Sequence, residues 1–218
     1  MRILIFGRVG QLGSALSELL LDTHDLVFLD QPEIDLAKID TIESHIIKNQ
    51  PDLVINAAAY TAVDKAESEP DLAQLINASA PSQMAMSCDE LHIPFIHFST
   101  DFVFDGENGP YSESDLPKPL SYYGESKFAS EKVLQNSEYK NWAIARTIIV
   151  YGLVEKMSRS NIVLWAKGAL EKGDPINVVD DQYRSPTLAA DLAKGCILIA
   201  DKHAKGVYHL SGKDVMSI

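Results

Sequence analysis

The chain begins MRILIFGRVGQLGSAL, an apolar run of strand character that ends on a glycine and gives way at once to leucines at helical spacing. That opening constrains the fold more than any other stretch. Gly7, Gly10 and Gly13 stand between the first strand and the first helix. Glycine permits the tight turn and lets an anion approach backbone N–H groups at a helix N-terminus, where the helix dipole favours negative charge. The spacing, G-x-x-G-x-x-G, is one residue longer than the dinucleotide fingerprint G-x-G-x-x-G and says little alone. Its position, after a strand and before a helix, is the context the fingerprint requires.

Further strand-like runs follow, "DLVFLD", "LVIN", "PFIHFS" and "WAIARTIIV", separated by helical patterns such as Ile39, Ile42, Ile46 and Ile47, or Leu72, Leu75, Ile76 and Met84. Alternation of this kind predicts an α/β fold, a doubly wound parallel sheet covered on both faces. After about residue 150 the alternation loosens. A helix near Asn161 to Glu171, a strand near "INVV", a helix from Thr187 to Ala200 and a strand "VYHLS" are expected there. The reading is therefore a dinucleotide-binding domain over 1-150 and part of a smaller lobe over 151-218, with more of that lobe expected beyond "GKDVMSI".

Composition removes several classes of function. At 218 residues and 46% hydrophobic content the chain can bury one substantial core. With 31 acidic against 19 basic residues the net charge is -12, which argues against a nucleic-acid partner. No apolar stretch approaches the about 20 residues needed to cross a bilayer, and the first apolar run is too short for a secretory signal. A cytoplasmic, membrane-free protein is expected. Cys88 and Cys196 lie in helical patterns without metal-ligand neighbours and read as buried free thiols.

The chemistry concentrates in "LSYYGESKFASEKVL", which offers two tyrosines and two lysines. Pro117 and Pro119 block a helix before Ser121, so one is expected to begin near Tyr122. Side chains at i and i+4 share a helix face; Tyr123 and Lys127 meet that spacing, whereas Tyr122 is four residues from Ser126. An ammonium beside a phenol would lower its pKa and equip it to give a proton to a carbonyl oxygen. Ser99, Thr100 and Asp101 end the strand in "HFSTDFVFDG", at the edge where such sheets bind ligands, and a hydroxyl there could bond the same oxygen. His97 falls in the other strand phase from Ser99's neighbours and reads as structural. Asp30, ending the second strand, suits a ribose and hence NADH; Arg8 suits a 2'-phosphate and hence NADPH. Asp35 and Leu36 could lie under an adenine.

Taken together, "GRVGQLGSAL", "DLVINAAAYTAVDKAESEP", "STDFVFDG", "YGESKFASEK", "RTIIVYG" and "DDQYRSPT" resemble the extended short-chain dehydrogenase/reductase superfamily, and within it the dTDP-4-dehydrorhamnose reductase family. The resemblance spans nearly the whole chain. It implies a Rossmann-type fold and reduction of the C4 ketone of a nucleotide-linked 6-deoxy-4-keto sugar by NADPH or NADH. It also implies Thr100, Tyr123 and Lys127 as the catalytic triad, with Lys127 holding the nicotinamide ribose as well. Cofactor contacts are implied for Gly7, Arg8, Gly10, Gln11, Leu12, Asp30, Asp35, Leu36, Ala57, Ala58, Ala59, Tyr60 and Ser99, with Asn77 in support. Asp101, Phe102 and Arg184 would face the sugar nucleotide.

Departures from the pattern carry expectations too. Ile149 stands where the family usually has an aromatic beside the sugar. Arg184 replaces a small residue, to contact a diphosphate or to pair on the surface. Ala15 falls where an acidic residue helps bind a dimer-bridging metal in some relatives, so no metal is expected; a homodimer stays open. Phe102 in place of a glutamate disfavours a 4,6-dehydratase. A 4-epimerase remains open, as does a non-catalytic NADP-binding subunit like the beta subunit of methionine adenosyltransferase.

Overall fold

A computed structural model describes residues 1–154 and 161–218. Six strands form one parallel sheet: β1 (Arg2–Phe6), β2 (Asp25–Leu29), β3 (Leu53–Asn56), β4 (Phe95–Thr100), β5 (Trp142–Thr147) and β6 (Gly206–His209), in the order β2-β1-β3-β4-β5-β6. The main helices are α1 (Gln11–Leu20), α2 (Ile42–Asn49), α3 (Ala80–Glu90), α4 (Tyr122–Asn136), α5 (Ile162–Lys172) and α6 (Ala189–Asp201). Because successive strand residues face opposite sides, the sheet divides the core in two. Leu4, Phe6, Val54 and Ile144 pack against α2, α3 and α4 on one face. Ile3, Ile5, Ile55 and Ala145 pack against α1 and α6 on the other. Cys88 lies in the first layer and Cys196 in the second, both fully buried.

The parallel, doubly covered sheet expected from the strand alternation is thus the observed one. Three elements differ. "INVV" forms no strand; residues 176–179 run without regular structure. "VYHLS", expected in a smaller lobe, pairs instead with β5 as the sixth strand of the main sheet. "WAIARTIIV" breaks after Thr147, because Ile149 takes φ +39°, a left-handed backbone that β-branched residues rarely adopt. Beyond the break, Val150–Tyr151 pairs with Thr187–Leu188, and Tyr183–Arg184 pairs with Met216–Ser217.

α3 is preceded by an α-helical turn, Pro70–Gln74, and a π-helical turn, Leu75–Ser79. Pro81 has no N–H to give the Asn77 carbonyl and its ring crowds that oxygen, which accounts for the widened turn. The π turn buries Asn77 completely.

α4 is tied to the sheet by charge as well as by apolar contact. Arg146 on β5 meets Glu131 on α4 through several hydrogen bonds, the shortest 2.6 Å from Nη2 to Oε2, with both side chains buried. Removing one partner of such a pair strands the other charge in the interior. Glu131→Ala is expected to lower the unfolding free energy by about 3–5 kcal/mol, read from the midpoint of urea denaturation.

Candidate active site

The glycine turn forms at the carboxyl end of β1, where the strand order reverses between β2 and β3, the place at which open α/β sheets bind ligands. A Cβ on Gly13 would lie 2.0 Å from the Gly7 carbonyl oxygen, so α1 reaches this position only because residue 13 has no side chain. Gly10 is the N-cap of α1 and supplies no side-chain cap, leaving the first-turn N–H groups available. A Cβ at Gly10 would meet only the Gly7 oxygen, at 3.7 Å, so the approach is open. Uncapped donors beneath an open turn suit a dinucleotide pyrophosphate.

Around that turn the expected contacts divide into backbone and side-chain roles. Gln11 spends its amide elsewhere: Nε2 donates to the Val150 carbonyl at 3.0 Å, and Oε1 accepts from Asn161 at 2.9 Å. Leu12 is buried in the core, so it too offers its backbone rather than its side chain. Asp30 accepts the Val9 N–H at 3.1 Å and the Gln31 N–H at 2.9 Å, and the Arg8 guanidinium lies 5.3 Å over the Phe28 ring. Asp35 accepts the Ala37 N–H, and Leu36 packs on the core. Beyond β3, Ala57, Ala58 and Ala59 line the same edge. The Ala57 N–H donates to Phe6 and the Ala58 N–H to the Asn56 side chain. Asn77 accepts the Tyr60 N–H and donates to the Tyr60 carbonyl and to Ser126, tying this strand end to α4. Tyr60 donates its hydroxyl hydrogen to Glu69.

α4 begins at Tyr122, as expected, with Ser121 accepting the Gly124 N–H and Glu67 accepting the Tyr122 N–H. Its inner face carries Tyr123, Ser126, Lys127, Ser130 and Glu131, all buried, while Tyr122 is exposed. A Cβ on Gly124 would stand 2.3 Å from the Phe102 carbonyl oxygen; glycine there lets the helix reach the end of β4. The Tyr123 ring consequently meets Phe102 edge-on, with centroids 5.6 Å apart. Thr100 donates to Asp101 and accepts the Phe102 N–H. Ser99 presents a buried hydroxyl without a partner among the described residues.

The electrostatics differ from the expectation that Lys127 lowers the Tyr123 pKa. Burial pushes Tyr123 up to about 12, a hydrogen bond with Thr100 works against that rise, and Asp101 adds to it. Lys127 instead points beneath the site, where Nζ donates to the Phe98 carbonyl at 2.6 Å and lies 3.5 Å from Nε2 of His97. Burial brings Lys127 down to about 8, with Glu131 opposing.

Next to Asp101 and Phe102 opens a cavity of about 760 Å³ that Arg146, Thr147, Arg184 and His209 also line. Arg184 stands 3.5 Å from Asp101 across it. Burial raises the Asp101 pKa and Arg184 opposes the rise. The sequence reading passed over Asn56, Ser130, Arg146 and His209. Each is a polar residue in an apolar strand or on the inner helix face, and only the packing shows what they touch.

Sheet order and the glycine turn together define a protein of the extended short-chain dehydrogenase/reductase type. A family profile described as "RmlD substrate binding domain" matches residues 1–218. The dTDP-4-dehydrorhamnose reductase of Salmonella typhimurium is 38% identical over 220 residues, which cover 96% of this chain and 72% of that protein. The spore coat polysaccharide biosynthesis protein SpsK of Bacillus subtilis is 34% identical over 99% of this chain and 75% of its own length. Among solved structures, a dTDP-4-dehydrorhamnose reductase of Bacillus anthracis in complex with NADP superposes with a TM-score of 0.92 at 33% identity, covering 99% of this chain and 76% of that one. The chain belongs to the dTDP-4-dehydrorhamnose reductase family.

Gly13→Ala is expected to abolish binding of a nicotinamide dinucleotide at concentrations that saturate the unaltered protein, as followed by fluorescence titration. The added methyl group can be accommodated only by displacing α1 from the glycine turn.

Proposed function

We propose that this protein reduces the C4 ketone of dTDP-4-dehydro-L-rhamnose with NADPH, giving dTDP-L-rhamnose. The observation that carries the reading is the burial of Tyr123 and Lys127 on one face of α4, with Thr100 at the end of the adjoining strand. Family membership supports the substrate. The cofactor preference rests on Arg8, stacked on Phe28 beside the glycine turn, and on Asp30, whose two oxygens are engaged by backbone N–H groups.

The glycine turn and the first N–H groups of α1 would hold the pyrophosphate, Arg8 the 2'-phosphate, and Lys127 the nicotinamide ribose. A bound reduced nicotinamide supplies hydride to C4 of the sugar. As negative charge grows on the ketone oxygen, Thr100 would turn its hydroxyl hydrogen from Asp101 to that oxygen and Tyr123 would give it a proton, so the C=O becomes CH–OH. A phenol held at about 12 is protonated at neutral pH and is still a stronger acid than the alcohol that the alkoxide becomes. Asp101, Phe102 and Arg184 line the cavity into which the sugar and its diphosphate would extend, together with Gln182, Tyr183 and Ser185.

The assay is loss of reduced-nicotinamide absorbance with the keto-sugar generated in situ, NADPH and NADH being supplied separately. Tyr123→Phe is expected to lower kcat about 10²- to 10⁴-fold while cofactor still binds. Failure of the unaltered protein to turn over would overturn the assignment.

A pH dependence follows from Lys127. Its ammonium is present below about 8 and lost above it, whereas Tyr123 keeps its proton through the same range. In the free protein kcat/KM for NADPH should therefore be flat near neutrality and fall, approaching tenfold per pH unit, above about 8.

A further inference from the structure

Beneath the site, five groups form a hydrogen-bond chain with a defined direction. The Ala58 N–H can only donate, and it donates to Oδ1 of Asn56 at 3.2 Å. That turns Nδ2 of Asn56 towards Nδ1 of His97, 3.1 Å away, so Nδ1 must accept. At the far end the Lys127 carbonyl can only accept, and it takes the hydroxyl hydrogen of Ser130 at 2.7 Å. Ser130 Oγ, with its hydrogen spent, must therefore accept from Nε2 of His97 at 2.9 Å. Two independent arguments, one from each end, give the same tautomer: hydrogen on Nε2 and a bare Nδ1. His97 is fully buried, and its burial and the neighbouring Lys127 both keep it neutral.

The tautomer matters because Lys127 Nζ lies 3.5 Å from that same Nε2. A bare Nε2 would present a lone pair to the ammonium, which is already anchored on the Phe98 carbonyl at 2.6 Å. Two inward anchors would hold the lysine below the cleft. With hydrogen on Nε2 the ring offers Lys127 no acceptor, its one lone pair being at Nδ1 and taken by Asn56, and the remaining N–H groups of Lys127 are free to reach a cofactor ribose.

We propose that Asn56 and His97 are positioning residues: by fixing the imidazole as its Nε2–H tautomer, they keep the Lys127 ammonium from being captured beneath the site and so available to the cofactor. The inference rests on the role given above to Lys127, and it is read in cofactor affinity, which needs no sugar substrate.

Nitrogen-15 NMR of histidine-labelled protein tests the first half without any substitution. The His97 resonances should show Nε2 protonated and Nδ1 bare; the opposite tautomer overturns the proposal. Asn56→Asp tests the second half, because a carboxylate of the same shape accepts from both the Ala58 N–H and an Nδ1–H and so reverses the tautomer. The expected result is the reversed NMR signature with NADPH binding weakened about tenfold or more, on the scale of one lost charge-assisted hydrogen bond. Combining Asn56→Asp with His97→Gln separates tautomer from charge. Recovery of most of the lost affinity supports action through the imidazole, whereas affinity as weak as in Asn56→Asp alone means that the buried carboxylate is responsible and overturns the proposal. If the unaltered protein binds NADPH and shows the Nε2–H tautomer but reduces no keto-sugar, the reductase reading fails and this inference stands.

Discussion

A parallel sheet buried on both faces leaves its polar chemistry one outlet, the carboxyl edge, where strands end and their last residues meet helix N-termini. Everything of functional interest in this chain follows from that constraint. Gly7 and the start of α1 sit at the end of β1, the alanines at the end of β3, and Ser99, Thr100 and Asp101 at the end of β4. Residues far apart in sequence converge because the strands carrying them are parallel and in register.

α4 brings the remaining side chains to this edge and is held there from three directions. Its first turn is fastened by Ser121 and by the Glu67 carboxylate, which accepts the Tyr122 N–H. Ser126 receives Asn77, and Glu131 meets Arg146 beneath the core. These contacts come from separate stretches of chain, so the place of the helix is decided by the whole fold. Burial is also what separates Tyr123 from Lys127 on its face, pushing the phenol up and the ammonium down.

The periodic features were legible in the sequence because they depend on local geometry. Strand alternation, the glycine turn and the start of α4 all follow from spacing, and the structure shows each; the same spacing puts Tyr123 and Lys127 on one buried helix face. What sequence could not give depends on tertiary neighbours. "INVV" has strand composition but no partner strand, and Val207 with Tyr208 joins the main sheet because β5 leaves an edge open. His97 read as structural from its phase alone. Its contact with Lys127 depends on how the fold brings β3, β4 and α4 together. Likewise the i, i+4 rule put Lys127 on the face of Tyr123, but the Phe98 carbonyl decides where its ammonium rests.

The sheet also partitions the interior into two compartments that share no side chains, and each holds a single thiol. Cys88 is packed with α2 and α3, Cys196 with α1 and α6, and burial raises the pKa of both. Neither sulfur is reachable or ionised while its own layer is closed, since only a thiolate reacts. The chain therefore contains two native reporters, one per layer, and the relative rates at which they become alkylated register whether the two halves of the core open together or one before the other.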